Sequence, residues 1–236
     1  MGLLDLGKSL KISQRPLDII YVIDTSGSMG GAKIEAVNKA MHELEELLRA
    51  ESRKNPSAEV NVRILAFNNN YAYWHLEERT RAEDFHYRDI TYVNGATPLG
   101  DAFRVLGDAL DNENMPKRGL APVIILISDG WPTDEWRIPL NRLLSLPWGK
   151  KAVKIAIAIG NEPDKNILAT FTEDIDHVLS ANHTSTLKDF IKWTSTLVSQ
   201  VSQHISDIDK DGNPSFAKIK VPEPVSMITD DSGEII

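Results

Sequence analysis

Two continuous apolar runs stand out along the chain, and each is followed by a carboxylate. Residues 17–23 contain six apolar side chains out of seven, and residues 123–127 are apolar throughout. Runs of this length that stop abruptly at polar residues and glycine are typical of strands buried on both faces of a parallel sheet. Asp24 directly follows the first run, and Asp129 comes two residues after the second. Because open α/β sheets place ligand sites at the carboxyl ends of their strands, the pattern predicts a site at this edge.

The remaining hydrophobic pattern alternates between strand-like and helix-like segments. Residues 60–67 alternate apolar and polar side chains and residues 152–159 are mostly apolar, so both segments predict strands. Apolar residues that recur at three- and four-residue steps predict helices instead. Helices are expected from Lys33 to the stop at Asn55-Pro56, after Thr97, at 135–146, around 167–171 and at 187–201. Shorter strands are expected at 71–76 and 177–179, and an irregular crossover is expected at 77–91.

Strands and helices that alternate along a chain are typical of an α/β protein with right-handed crossovers. The sequence therefore predicts a doubly wound, mostly parallel sheet with helices on both faces. Residues 71–76 are expected to form one antiparallel edge strand, because the asparagine triplet at 68–70 is a turn signal. The predicted organisation is a lead at 1–14, a folded domain at 15–205 and a tail at 206–236.

The tail differs from the domain in composition. Residues 206–236 contain seven acidic and three basic residues, three prolines and little hydrophobic periodicity. Asp207, Asp209 and Asp211 imitate the start of an EF-hand calcium loop. However, Lys218 occupies the twelfth position, where that loop requires a bidentate glutamate. A true EF-hand is therefore rejected, and an acidic, flexible tail is predicted.

Composition narrows the function classes. The chain has 236 residues, a formal net charge of −8 and no cysteine. The missing cysteines exclude disulfides, thiol catalysis and zinc–thiolate sites, and they are compatible with a reducing compartment, so a cytoplasmic location is expected. The net negative charge argues against a general nucleic-acid binder. No apolar run approaches the roughly 20 residues that span a bilayer, so no membrane association is expected.

Five side chains with oxygen atoms follow the predicted strands or precede a helix. They are Asp24, Ser26, Ser28, Thr97 and Asp129. A ligand set made only of oxygen suits a hard cation such as Mg²⁺ rather than zinc or copper. Each of the three segments alone could instead be a turn or a helix cap. Their occurrence together favours a metal site.

The order and spacing of Asp24-x-Ser26-x-Ser28, Thr97 and Asp129-Gly130 resemble the metal-ion-dependent adhesion site of von Willebrand factor A domains. The resemblance covers roughly residues 15–205 and implies the Rossmann-like fold of those domains. It also implies that Ser26, Ser28 and Thr97 are hydroxyl ligands of Mg²⁺, or of Mn²⁺ or Ca²⁺. In the same pattern Asp24 and Asp129 bind the ion mostly through water, and an acidic residue of a partner protein fills the open coordination position.

A narrower resemblance lies in the loops themselves. Residues 24–29, 95–100 and 128–136 are similar to the corresponding loops of von Willebrand factor A proteins from bacterial tellurium-resistance and stress gene clusters. That resemblance implies a stress-response system and a kinase or phosphatase partner from the same gene cluster.

The leading functional hypothesis is a non-enzymatic, cation-dependent protein-interaction module. Gly27, Asn94, Pro98 and Trp131 are predicted to form the partner-binding rim around the ion, although Trp131 could instead pack under a loop. Two alternatives are a structural adaptor whose site is permanently filled and a metal-dependent hydrolase or phosphatase. An enzyme needs a base beside the ion, but no histidine lies next to the three loops in sequence. The nearby carboxylates of Asp134 and Glu135 are expected at a helix start instead.

Overall fold

The computed structural model describes residues 14–69, 71–129, 131–160 and 165–203, and these form one six-stranded sheet flanked by helices. The strands are β1 (Arg15–Asp24), β2 (Ala58–Asn68), β3 (Tyr71–Arg81), β4 (Val123–Ser128), β5 (Val153–Ile159) and β6 (Val178–Ala181). Their order in the sheet is β3-β2-β1-β4-β5-β6, and every neighbouring pair is parallel except β2 and β3. This topology confirms the predicted α/β fold with one antiparallel edge strand.

Seven α-helices lie between or after the strands within the described part of the chain. They are α1 (Ala32–Lys54), α2 (Leu99–Ala109), α3 (Arg137–Ser145), α4 (Pro147–Lys151), α5 (Lys165–Thr172), α6 (Thr184–Trp193) and α7 (Leu197–Gln203). Short 3₁₀ turns lie at Gly27–Met29, Ile175–His177 and Thr194–Thr196. No helix among the described residues is both long enough and apolar enough to cross a bilayer.

The sheet separates two hydrophobic cores, which explains the continuous apolar run in β1. Ile19, Tyr21 and Ile23 face the core that α1, α6 and α7 complete. Ile20 and Val22 face the core that α2, α3 and α5 complete. Successive side chains of a strand point to opposite faces, so a central strand between two helical layers is apolar at most of its positions.

The register of the central strands positions the predicted site. Ile23 in β1 pairs with Ile127 in β4, and Asp24 pairs with Phe67 in β2. β1 and β4 therefore leave the sheet at the same level, and the loops after Asp24 and Ser128 emerge side by side.

β3 is longer than the sequence analysis predicted. It continues through the charged residues 77–81, which had been expected to belong to an irregular crossover. As the edge strand, β3 pairs with β2 alone and none of its residues is buried, so charged side chains are tolerated there and the hydrophobic pattern fails. The predicted crossover is thereby shortened to the residues after Arg81.

One predicted helix is followed directly by a second helix, and another is interrupted. The predicted helix 135–146 is α3, and a second helix, α4, begins directly after it at Pro147. Leu146 before this proline has extended backbone angles, as residues before proline prefer. The predicted helix 187–201 is divided by the 3₁₀ turn, where the hydroxyls of Thr194 and Ser195 donate to the carbonyls of Ile191 and Lys192. Such back-bonding competes with regular helix geometry.

The predicted asparagine turn is confirmed at Asn69, whose φ of 56° lies in the left-handed region. The predicted lead and tail lie almost entirely outside the described residues, so the proposed boundaries and the flexible tail stay predictions.

Candidate metal centre

Asp24 ends β1 and is fully buried between the neighbouring strands. One carboxylate oxygen accepts a hydrogen bond from the backbone N–H of Ser26 at 2.8 Å, and the other accepts from the Ser128 hydroxyl at 2.7 Å. Burial raises the pKa of Asp24, while the hydrogen bonds from Ser128 and Ser26 oppose the shift. Two donors therefore fix the orientation of this carboxylate at the sheet edge.

A chain of hydroxyl contacts joins the loop after β1 (residues 25–30, the first loop) to the loop after β4. The hydroxyls of Ser26 and Ser28 lie 3.1 Å apart, and the Ser28 hydroxyl donates to the Asp129 carboxylate at 2.7 Å. Four of the five predicted ligands are thus brought together: Asp24, Ser26, Ser28 and Asp129.

The Thr97 loop packs against the first loop through its backbone. The Val93 N–H donates to the Thr25 carbonyl at 2.9 Å. A side chain at Gly27 would lie 3.3 Å from the Asn94 Cα, so glycine permits this close approach. The Thr97 hydroxyl itself makes no hydrogen bond to the other four predicted ligands, all of which the structure describes. The structure therefore brings the loop of Thr97 next to the first loop, without a hydrogen bond from the Thr97 hydroxyl to the other predicted ligands.

The helix that follows Thr97 is capped by a residue from a different loop. α2 begins at Leu99, and the N–H groups of Gly100 and Asp101 both donate to the Asp134 carboxylate at 2.9 Å. Asp134 therefore does bind a helix start, as expected for an acidic side chain, but that helix is α2 rather than the one that follows in sequence. Glu135 accepts from the Arg137 N–H at 2.8 Å, at the start of α3.

The structure adds Lys33, which the sequence analysis had regarded only as the start of a helix. Its ammonium donates to the Asp129 carboxylate and, at 3.0 Å, to the Ser28 carbonyl. The available signal was a lysine placed a few residues after the Asp-x-Ser-x-Ser loop. Both hydrogen-bond acceptors of this ammonium are oxygen atoms, and two carboxylates lie in the cluster, so the residues present fit a hard divalent cation.

No group of three or more His, Cys, Asp or Glu side chains suited to a metal ion occurs in the described part of the chain. The candidate centre therefore depends on hydroxyl groups as well as on its two carboxylates. This composition differs from that of a typical zinc site.

The four predicted rim residues differ in exposure. Trp131 is 63% exposed, Asn94 is exposed and Gly27 is partly exposed, whereas Pro98 is buried at the start of α2. The exposure of Trp131 contradicts the alternative that it packs under a loop. Pro98 therefore lies beneath the surface of this loop, and its ring is not exposed.

Three further apolar residues are exposed at this edge that the sequence did not predict as rim residues. Tyr71, Tyr92 and Val93 are 54%, 43% and 42% exposed, and the Tyr92 ring packs over Gly30 in the first loop. With Trp131 they make up four of the seven large hydrophobic side chains that are exposed among the described residues. An apolar dipeptide at 92–93 just before the Asn-Gly turn was the signal that could have identified two of them.

The parallel sheet and the oxygen-rich loops at its carboxyl edge define a class of α/β binding domains. The family model of the von Willebrand factor type A domain matches residues 18–193, and the chain belongs to this family. Domains of this family mediate protein–protein interactions, and many bind a divalent metal at a metal-ion-dependent adhesion site.

Individual relatives are distant. Human inter-alpha-trypsin inhibitor heavy chain H2 is 30% identical over 127 residues, which is 50% of this chain and 12% of the relative. The pilus adhesin SpaC from Lactobacillus rhamnosus GG has a TM-score of 0.61 at 15% identity, covering 79% of this chain and 30% of the adhesin. Proximal thread matrix protein 1 from the mussel byssus, solved with a zinc-occupied MIDAS motif, has a TM-score of 0.57 at 19% identity, with coverages of 78% and 46%. The chain thus spans less than half the length of each of these proteins.

Proposed function

We propose that this protein is a protein-interaction module that binds Mg²⁺, or alternatively Mn²⁺ or Ca²⁺, and uses the ion to engage an acidic side chain of a partner. The proposed ligands are Asp24, Ser26, Ser28, Thr97 and Asp129. The observation that supports this most strongly is the hydrogen-bonded chain from Asp24 through Ser26 and Ser28 to Asp129, with an ammonium already bound at its end.

The chemistry of the ligand set explains why a partner would complete it. Three of the five proposed ligands are neutral hydroxyls, so a divalent ion at this site would retain an affinity for a further anion. The protein's own part is to orient the ligands. Ser128 and the Ser26 N–H fix Asp24, and Ser28 and Lys33 fix Asp129.

Specificity in this proposal comes from the apolar rim, because any exposed carboxylate could coordinate the ion. Trp131 lies in the segment after Asp129, and Tyr92 and Val93 lie in the loop that leads to Thr97. Aromatic side chains at the centre of an interface are frequent binding hot spots. We therefore propose a partner segment in which apolar residues flank the acidic one.

The enzymatic alternative, a metal-dependent hydrolase or phosphatase, has less support. Asp134 was the nearest candidate for a general base, but both of its oxygens accept from the N-terminus of α2. Among the described histidines, none hydrogen-bonds to a proposed metal ligand. These contacts favour binding over catalysis.

The biological setting is proposed from the loop similarities alone. We propose a cytoplasmic protein of a bacterial tellurium-resistance or stress-response system, with a kinase or phosphatase of the same gene cluster as partner. Finding such genes beside this one would support the assignment.

Calorimetric titration with MgCl₂ tests the metal site. Wild type should bind the ion, whereas Asp24→Ala and Ser26→Ala should lose binding and keep a folded circular-dichroism spectrum. Ser52→Ala is the matched control, because it removes a hydroxyl about 30 Å away along α1. Unchanged affinity in both loop variants would refute the proposed ligands.

The second test is a pull-down with and without a chelator. If the site were a permanently filled structural site, the partner would remain bound after chelation. Loss of the partner on chelation, and its return with Mg²⁺, is the result that the proposal expects.

A further inference from the structure

Lys33 places a positive charge directly beside the loops that are proposed to bind a metal cation. It is the second residue of α1, and side chains in the first turn of a helix point back toward the helix N-terminus. Its ammonium therefore reaches the loop that precedes the helix and contacts both Asp129 and Ser28. We propose that Lys33 is an internal counter-ion that a divalent cation must displace, and that it thereby sets the affinity of the metal site. This inference depends on the function proposed above.

The charges in the cluster require such a counter-ion in the metal-free protein. The Asp129 side chain is only 3% exposed and lies beside the buried carboxylate of Asp24. A buried carboxylate is costly unless it is paired and hydrogen-bonded. Within the described chain, Lys33 is the one ammonium or guanidinium that hydrogen-bonds to either aspartate.

Lys33 also contacts the residues that the metal would use. It binds one oxygen of Asp129, and the other oxygen of that carboxylate accepts from the Ser28 hydroxyl. A cation bound by the Ser28 hydroxyl and, through water, by Asp129 therefore lies close to the ammonium. Two cations held by the same carboxylate repel each other, so lysine and metal compete.

The structure leaves open space for the Lys33 side chain once it is displaced. Lys33 has a flexible stem, its side chain is 35% exposed, and it lines a cavity of about 60 Å³ beside Gly160 and His183. Apart from the chain neighbours of Gly160, the ammonium is the one heavy atom of the described residues within 4.0 Å of the position that a Cβ atom at Gly160 would take, so the space over this glycine is open. A cation near a helix N-terminus is also electrostatically unfavourable. Once the metal neutralises the carboxylates, little retains the ammonium.

Titration of Lys33→Met with MgCl₂ tests the inference. Lys39→Met is the matched control, because Lys39 is exposed on the same helix and its loss changes the net charge equally. We expect Lys33→Met to bind Mg²⁺ about tenfold more tightly than wild type, since a like charge within a few ångströms is removed. Lys39→Met should bind as wild type does.

Thermal unfolding in the presence of EDTA provides a second measurement. Without its counter-ion the metal-free cluster is destabilised, so Lys33→Met should melt a few degrees below Lys39→Met. Mg²⁺ should then raise its melting temperature more than it raises that of wild type.

The possible outcomes separate the two proposals. If Lys33→Met binds Mg²⁺ no more tightly than Lys39→Met, the metal site stands and the role of Lys33 is refuted. If neither wild type nor Lys33→Met binds the ion, the metal site itself is wrong and the inference is overturned with it.

Discussion

β1 contains two buried aspartates on one face of the sheet, and their charges are compensated in different ways. Asp18 and Asp24 are six residues apart, or about 20 Å along the strand. Asp18 is ion-paired with Arg79 at 2.8 Å, and its other oxygen has no hydrogen-bond partner among the described residues. Asp24 accepts from two neutral donors, Ser26 and Ser128, one on each oxygen.

Burial raises the pKa of both carboxyl groups, but only Asp18 has a fixed cation. The Arg79 guanidinium also donates to the Asn114 carbonyl at 2.7 Å, so it is bound on two sides. The carboxyl edge has instead a flexible lysine that contacts Asp129. The comparison teaches that a guanidinium bound on two sides compensates Asp18 permanently, whereas in our proposal the lysine at the other end of the strand gives way to a metal ion.

The largest effect is expected when the buried ion pair between Asp18 and Arg79 is broken. Arg79→Ala leaves the carboxyl of Asp18 buried without its partner, and this should lower the free energy of unfolding by about 3 kcal/mol in urea denaturation. Mg²⁺ affinity should not change. Arg81→Ala is the control, because Arg81 lies on the same strand and its ion pair with Glu83 is exposed. That pair should contribute little to stability. Equal losses in the two variants would contradict the special role of the buried pair.

The second-largest effect is expected at the carboxyl edge of the sheet, where the metal site and its rim are proposed. Trp131→Ala should weaken binding of a chelator-sensitive partner by about 2 kcal/mol, roughly thirtyfold, because an aromatic hot spot is truncated. Mg²⁺ affinity and stability should remain those of wild type. Ile175→Ala serves as the control, since Ile175 is 55% exposed just before β6, away from the metal loops. Partner affinity equal to that of wild type would remove Trp131 from the rim.

A smaller effect appears in the pH dependence of stability. Because the pKa of Asp18 is raised above its ordinary value of 3.8, the folded state binds this proton more tightly than the unfolded state. The stability from this proton is present below 3.8 and is lost as pH rises through the folded-state pKa. Asp18→Asn should therefore gain stability relative to wild type as pH rises through that window. Asp176→Asn, at an exposed position, should show no such trend when both are unfolded in urea across the same pH range.

The smallest effect is expected from the tail. Deleting residues 212–236 should leave the melting temperature and the Mg²⁺ affinity nearly unchanged, because a strongly acidic segment with little periodicity buries too little apolar surface. A large drop in the melting temperature would show that the tail is part of the domain, and the boundary at residue 205 would be wrong.

The sequence contained most of the fold, and it brought out the proposed ligands, because both depend on local patterns. The apolar run before Asp24 and the matching run before Asp129 predict two central strands, and neighbouring strands must bring their carboxyl ends together. The charged end of β3 was missed because an edge strand has no need of an apolar pattern.

The missed contacts are long-range or depend on flexible side chains. Asp134 caps a helix 34 residues earlier in the chain, and Arg79 reaches Asp18 across 61 residues. Neither distance leaves a periodic trace in the sequence. Lys33 is near the loop in sequence, but whether its long side chain points to solvent or back to Asp129 depends on packing and charge that appear only in the fold.

The close packing at Gly100 restricts how the domain can vary. A Cβ atom there would lie 2.3 Å from the Glu135 carbonyl oxygen, so any side chain would separate α2 from the segment that follows β4. That separation would also break the reciprocal hydrogen bonds between Thr97 and Thr133. In a randomised library selected only for partner binding, position 100 should therefore return glycine alone, although it contacts neither the ion nor the partner in the proposed function.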